Sequence, residues 1–151
     1  MIVDSDTNNL FLADCLPHKQ PKFFRRFKKL LDKINISYKF LPNTKDIWCV
    51  DYMPIQIDKS KFIRFTYKPD YLKPKKYNNT ISDVDTICRI IKLKTRKSEL
   101  IVDGGNITKA TDKVIMTDKV FLENKHIPKN KLINRLKSIL EVDKLYFVPW
   151  D

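Results

Sequence analysis

The chain has 151 residues, of which 42% are hydrophobic and 32% charged, a formal net charge of +12, two glycines and three cysteines. That length suits one domain with a packed core. No apolar run approaches the ~20 residues of a membrane span, and Cys15, Cys49 and Cys88 lack CxxC spacing, which argues against a zinc module or a disulfide framework.

The basic excess is read as a solvated, lysine-rich surface. The lysines are scattered along the whole chain, and no motif interleaves them with aromatics, so a nucleic-acid partner is not expected. The opening Met1-Ile2-Val3-Asp4-Ser5-Asp6 carries acids where a secretory leader carries lysines. With the cysteine usage, this points to a reducing cytoplasm and no membrane partner.

Leu10 to Ala13 reads as a strand, followed by a loop punctuated by Pro17 and Pro21. From Lys22 to Ile34 the residues Phe23, Phe24, Phe27, Leu30, Leu31 and Ile34 recur at helical spacing, with bases on the other face. Ile36 to Leu41 alternates as a strand. Ile47 to Tyr52 and Lys61 to Tyr67 read as two further strands, with Asp58-Lys59-Ser60 turning a hairpin between them. The segment 68–79 reads as an ordered loop. Ser82 is the expected cap of a helix over 83–93, with Asp85 completing a variant capping box and Cys88 in the core.

Glu99 to Val102 is then a strand, and Asp103-Gly104-Gly105-Asn106 a tight turn that uses both glycines of the chain. Glycine permits positive φ or the close approach of another group. An ordinary hairpin turn and a turn presenting the Asp103 carboxylate at its tip both fit. Lys113 to Met116 forms a strand, Pro128 opens a helix with Leu132, Ile133, Leu136, Ile139 and Leu140 on one face, and Leu145 to Val148 ends the chain as a strand. Alternating strands and helices argue for an α/β class of mixed short sheets with amphipathic helices, one domain over 1–151. A faint repeat is visible: each half carries an acid at or after a strand, Asp51 and Asp103.

Asp51 sits in Asp46-Ile47-Trp48-Cys49-Val50-Asp51-Tyr52-Met53-Pro54. A charge in a strand that reads as buried costs free energy unless paired. Beside Trp48 and Tyr52 it suits a planar cation, gripped by parallel hydrogen bonds against an aromatic wall. A structural ion pair with a lysine or arginine is the other reading. Cys49 would share a strand face with Asp51, whose charge would raise the thiol pKa and make it a poor nucleophile. His18 and His126 lie in no HxD or HxE pattern, so no complete Cys-His-acid machinery is present.

These segments, with Tyr67-Lys68-Pro69-Asp70-Tyr71-Leu72, Val102-Asp103-Gly104-Gly105-Asn106, Lys113 to Phe121 and Val148-Pro149-Trp150-Asp151, resemble in order and spacing the agmatine deiminase and bacterial-type peptidylarginine deiminase family. The resemblance implies an α/β propeller of which this chain builds roughly two of about five pseudo-repeats. It implies hydrolysis of a guanidinium to a ureido group with ammonia release, by a cysteine nucleophile and a histidine acid–base, with no metal and no cofactor. Asp51 matches the acid that grips the guanidinium, Trp48 the aromatic of the same motif, and Asp103 the acid that orients the histidine. Val50 stands where many agmatine deiminases carry arginine, which leans toward the peptidylarginine branch. The family's Gly-His-x-Asp motif and its later cysteine are absent.

The expectation is therefore an N-terminal deiminase portion, inactive alone, that takes a guanidino substrate only when completed by the missing C-terminal part. Open edges would favour self-association or a partner chain. The alternative is a non-catalytic interaction module derived from the same fold.

Overall fold

The computed structural model describes residues 2–72, 74–110 and 112–151. In chain order the elements are β1 (Leu10–Ala13), α1 (Leu16–Lys19), α2 (Pro21–Lys33), β2 (Tyr38–Leu41), α3 (Cys49–Tyr52), β3 (Ile55–Gln56), β4 (Phe62–Thr66), α4 (Val84–Ile90), β5 (Arg96–Ile101), β6 (Thr108–Lys109), β7 (Lys113–Thr117), α5 (Lys119–Glu123), α6 (Lys129–Leu140) and β8 (Lys144–Val148). Short 3-10 turns lie at Asp4–Asp6, Asp70–Leu72, Lys75–Thr80 and Gly104–Asn106.

Among the described residues the strands make three small sheets. β1 pairs with β2 in parallel around the α2 crossover. β3, β4 and β5 form the second sheet, antiparallel then parallel, and β6, β7 and β8 repeat that pattern in the third. The parallel pairs need a crossover, supplied by α4 in one unit and by α5 and α6 in the other. The chain thus holds two strand–strand–helix–strand units after an opening strand–helix–strand piece. None of the three sheets closes on itself.

The main core lies between the second and third sheets and α6. Leu132, Leu136 and Leu140 recur at i, i+4 and i+8 and are fully buried against Val114 and Met116 of β7 and Leu100 of β5. Each such side chain contributes about 1.5–3 kcal/mol through removal from water. A smaller cluster gathers Leu41, Tyr52 and Ile87. α2 behaves differently. Only Leu31 is buried, while Phe24 packs on Tyr38 and Phe40 of β2 at ring-centroid distances of 6.1 and 5.9 Å.

Four local expectations need correction. The segment Ile47 to Tyr52 is no strand: residues 49–52 form the single turn α3, because a helical turn buries Tyr52 and lets its hydroxyl donate to the Asp46 carbonyl at 2.8 Å. The hairpin strand is Ile55–Gln56 instead, with Ile55 opposite Ile63. Pro17 lies within the short helix α1, where a first-turn proline loses no hydrogen bond. The cap of α4 is Asp83, which accepts from the Thr86 amide at 3.1 Å, whereas Ser82 Oγ accepts from the Lys45 amide at 2.9 Å. Among the described residues no helix is long and apolar enough to cross a membrane.

Candidate functional site

The site is built where both strand–strand–helix–strand units begin. α3 precedes β3 and carries Asp51; the turn Gly104–Asn106 precedes β6 and follows Asp103. The two starts pack on each other, and the Asp51 carboxylate accepts a hydrogen bond from the Gly105 amide at 3.2 Å. That is the one hydrogen bond its carboxylate receives among the described residues.

The glycine pair serves close approach, and neither glycine has positive φ. A Cβ at Gly104 would overlap the Val50 carbonyl oxygen, and one at Gly105 would overlap Asp51 Oδ1. The two glycines are the gap through which α3 touches the second unit. The turn is not a two-residue hairpin: Asn106 and Ile107 donate back to Asp103 and Gly104 in a 3-10 turn.

Asp103 does not reach out alone. Lys119 Nζ, at the start of α5, lies 3.3 Å from Asp103 Oδ2 and 3.4 Å from Glu123 Oε1. All three side chains are largely buried. The ammonium also lies 5.6 Å from the Tyr71 ring centroid and 5.3 Å from that of Trp150, within cation–π range. α5 is positioned by Asp118, which accepts from the Trp150 amide at 3.0 Å, and by the buried Asn124, whose side-chain amide donates to the carbonyls of Ile101 and Val120. Asn106 fixes the turn by accepting from the Thr117 amide at 2.7 Å.

The electrostatics join these groups. Burial, then the neighbouring Asp103 charge, pushes the Asp51 carboxyl above its usual value, against the pull of the Gly105 amide. Burial raises Tyr67 and Tyr71 as well, and both also feel the two carboxylates. For Lys119, burial favours the neutral form, but Glu123 and Asp103 outweigh it and the pKa rises. The result is an acid-rich surface with phenol and indole walls and one internal cation.

Trp48 stands apart. It precedes α3 and is 60% exposed, the most open aromatic near the site. Cys49 lies on the far side of the α3 turn, its Sγ 3.3 Å from the Tyr52 hydroxyl, and burial pushes its thiol up. Burial therefore does what the sequence reading assigned to Asp51. His18 lies in α1 and His126 between α5 and α6, and neither reaches Asp51 or Asp103 by a hydrogen bond. Among the described residues no group of three or more His, Cys, Asp or Glu could hold a metal ion.

Two clefts flank this centre. The larger, about 610 Å³, opens beneath the Val50–Gly104 contact and is walled by Phe11, Leu41, Met53, Ile55 and Ile107; it does not include either acid. The smaller, about 270 Å³, is lined by Lys68, Lys119, Glu123 and Trp150. Asp51 and Asp103 line neither of the two; the smaller brings Lys68, Lys119 and Lys125 together with Glu123 beside the Trp150 ring. The sequence reading picked out Asp51 and Asp103 but assigned no role to Lys119, Glu123, Tyr71 or Trp150. A lysine and a glutamate at i, i+4 was the available signal.

A family model described as Porphyromonas-type peptidyl-arginine deiminase matches residues 14–150. No curated protein matches the chain. Among solved structures, a C. jejuni agmatine deiminase superposes with a TM-score of 0.70 at 16% identity, covering 95% of this chain and 54% of its own. Agmatine deiminase of Enterococcus faecalis superposes with a TM-score of 0.57 at 17% identity, covering 93% of this chain and 40% of its own. The chain therefore spans about half the length of these structures or less, and the likeness at such identities is one of fold.

Proposed function

Because the chain belongs to the Porphyromonas-type peptidyl-arginine deiminase family, we propose that it is the guanidinium-gripping portion of a deiminase, an enzyme that hydrolyses a guanidinium to a ureido group and releases ammonia. The observation that supports this most is the setting of Asp51. Its carboxylate is anchored by one backbone amide and faces no lysine or arginine within ion-pair distance among the described residues. A guanidinium is flat and offers paired donors, which a fixed carboxylate accepts in parallel. Partial burial strengthens that interaction by lowering the local dielectric.

Resonance makes the guanidinium carbon a poor electrophile, so hydrolysis needs a strong nucleophile and a proton shuttle. Burial raises the pKa of the half-buried Cys49 thiol, which weakens it as a nucleophile, and among the described residues neither histidine is hydrogen-bonded to Asp51 or Asp103. In this reading residues 1–151 supply the grip, and a further segment supplies the histidine and cysteine. Asp103 would orient that histidine once the site is complete; in this chain it holds Lys119. The two strand–strand–helix–strand units are then two blades of an α/β propeller.

The test is titration calorimetry with agmatine and with N-acetylarginine amide. Saturable binding that is lost in Asp51→Asn, without ammonia release, supports the reading. Equal affinity of the wild-type chain and the variant, or no binding of either compound, overturns it. In the latter case the reading becomes a non-catalytic interaction module, which the exposure of Phe23, Leu30 and Leu122 favours.

A further inference from the structure

The outer side of α2 is a second built surface. Phe23, Phe27, Leu30 and Ile34 follow one another at steps of four, three and four residues, the spacing of a coiled-coil seam. Phe23, Leu30 and Ile34 are each about half exposed, at 53%, 52% and 50%. Phe23 and Phe27 stack with ring centroids 5.4 Å apart, so the stripe is ordered before anything covers it. Ile36, 45% exposed, extends it beyond the helix end. The neighbouring side chains Phe24 and Leu31 turn inward on β2 and the core.

At about 100° per residue the stripe covers only about 60° of the helix circumference. One rim is closed by β2. On the other rim stand Arg26 and Lys33, seven residues apart, in register with the stripe. The helix carries six basic residues against one acid, Asp32, and that acid is paired with Lys28 at 2.9 Å.

We propose that the Phe23–Phe27–Leu30–Ile34 stripe is a docking seam for an acidic amphipathic helix of a partner polypeptide. The apolar steps match a helix that offers its own a/d row, and Arg26 and Lys33 match acids at its flanking positions. A second copy of this chain would bring the same basic excess to the contact and be repelled. A lipid interface is served by a broad apolar face, whereas this one is a single side chain wide. α2 contributes no residue to the Asp51–Asp103 site, so failure here leaves the guanidinium reading untouched.

The experiment is fluorescence anisotropy of the full chain with two helical peptides. Both carry leucine along the seam; one is flanked by glutamate, the other by lysine. Saturable binding of the glutamate peptide, weakened about tenfold or more by Leu30→Glu, is expected. The double variant Arg26→Glu/Lys33→Glu should instead prefer the lysine peptide. Because these side chains are exposed, both variants should keep the wild-type thermal melt, and that melt is recorded as the control. Failure of the glutamate peptide to bind, or binding unchanged by Leu30→Glu, overturns the proposal. So does Leu30-dependent co-sedimentation with phosphatidylserine vesicles, which assigns the stripe to a membrane surface, or Leu30-dependent dimerisation in sedimentation velocity, which assigns it to a second copy.

Discussion

The Gly105 amide donates to the Asp51 carboxylate at 3.2 Å, across an approach that leaves no room for a Cβ at position 105 while Asp51 keeps its place. One hydrogen bond therefore ties together the beginnings of both repeated units, and it aims the acid that the functional reading depends on.

Gly104→Ala and Gly105→Ala should separate stability from aim. The added Cβ at 104 meets backbone, the Val50 carbonyl, which cannot move without shifting the α3 turn. Overpacking of that kind costs about 1–3 kcal/mol, read as a lower urea midpoint. The Cβ at 105 meets a side-chain oxygen instead. Asp51 can rotate away, so the stability loss should be smaller and the loss of agmatine binding larger. Equal stability losses would mean that the aspartate is as rigid as the backbone.

Asp51→Asn should stabilise the chain at neutral pH while it abolishes guanidinium binding. The folded-state pKa of this acid is raised, by burial and then by Asp103. Ionised Asp51 thus opposes folding, with the full penalty above the folded pKa and none below the unfolded value. Urea denaturation at pH 7 should favour the variant, and the advantage should shrink as pH falls through the carboxylate range. An advantage that is constant with pH would count against the raised pKa.

Lys119→Met should be strongly destabilising. It removes the ammonium shared by Asp103 and Glu123 in a largely buried setting, and breaking a buried pair from one side costs about 3–5 kcal/mol. Lys119 has a folded pKa above its ordinary 10.5. Its stabilisation is therefore complete below the unfolded pKa and fades as pH rises through the folded one. Thermal melts of the wild-type chain from pH 8 to 11 should show that alkaline loss, and the variant should show less of it.

Leu136→Ala and Leu30→Ala test which helix faces are core. Leu136 is fully buried in α6, and its truncation should cost about 2–5 kcal/mol. Leu30 is 52% exposed, so its truncation should stay within about 0.5 kcal/mol. A large loss at Leu30 would mean that the α2 stripe is covered within the chain.

Much was legible along the chain because helical period and strand alternation are local. The α2, α4 and α6 patterns, and the strands around Leu10, Phe62 and Leu145, were readable from side-chain spacing alone. Trp48 to Tyr52 was not. Its aromatics and apolar residues suit a strand, and only the burial of Tyr52 beneath a hydroxyl bond to Asp46 makes it a helical turn. Ser82 failed as a cap for a similar reason: a backbone amide distant in sequence, that of Lys45, claimed its hydroxyl.

Sequence by itself determined the mixed α/β character, the amphipathic helices and the two acids, since these rest on residue type and short-range period. Tertiary structure alone decided that the glycines exist for contact rather than for unusual torsion, that Asp103 faces Lys119, and that Tyr71 and Trp150 wall the same cation. Those facts depend on which groups distant along the chain meet across a few ångströms, and periodicity carries no information about such distances.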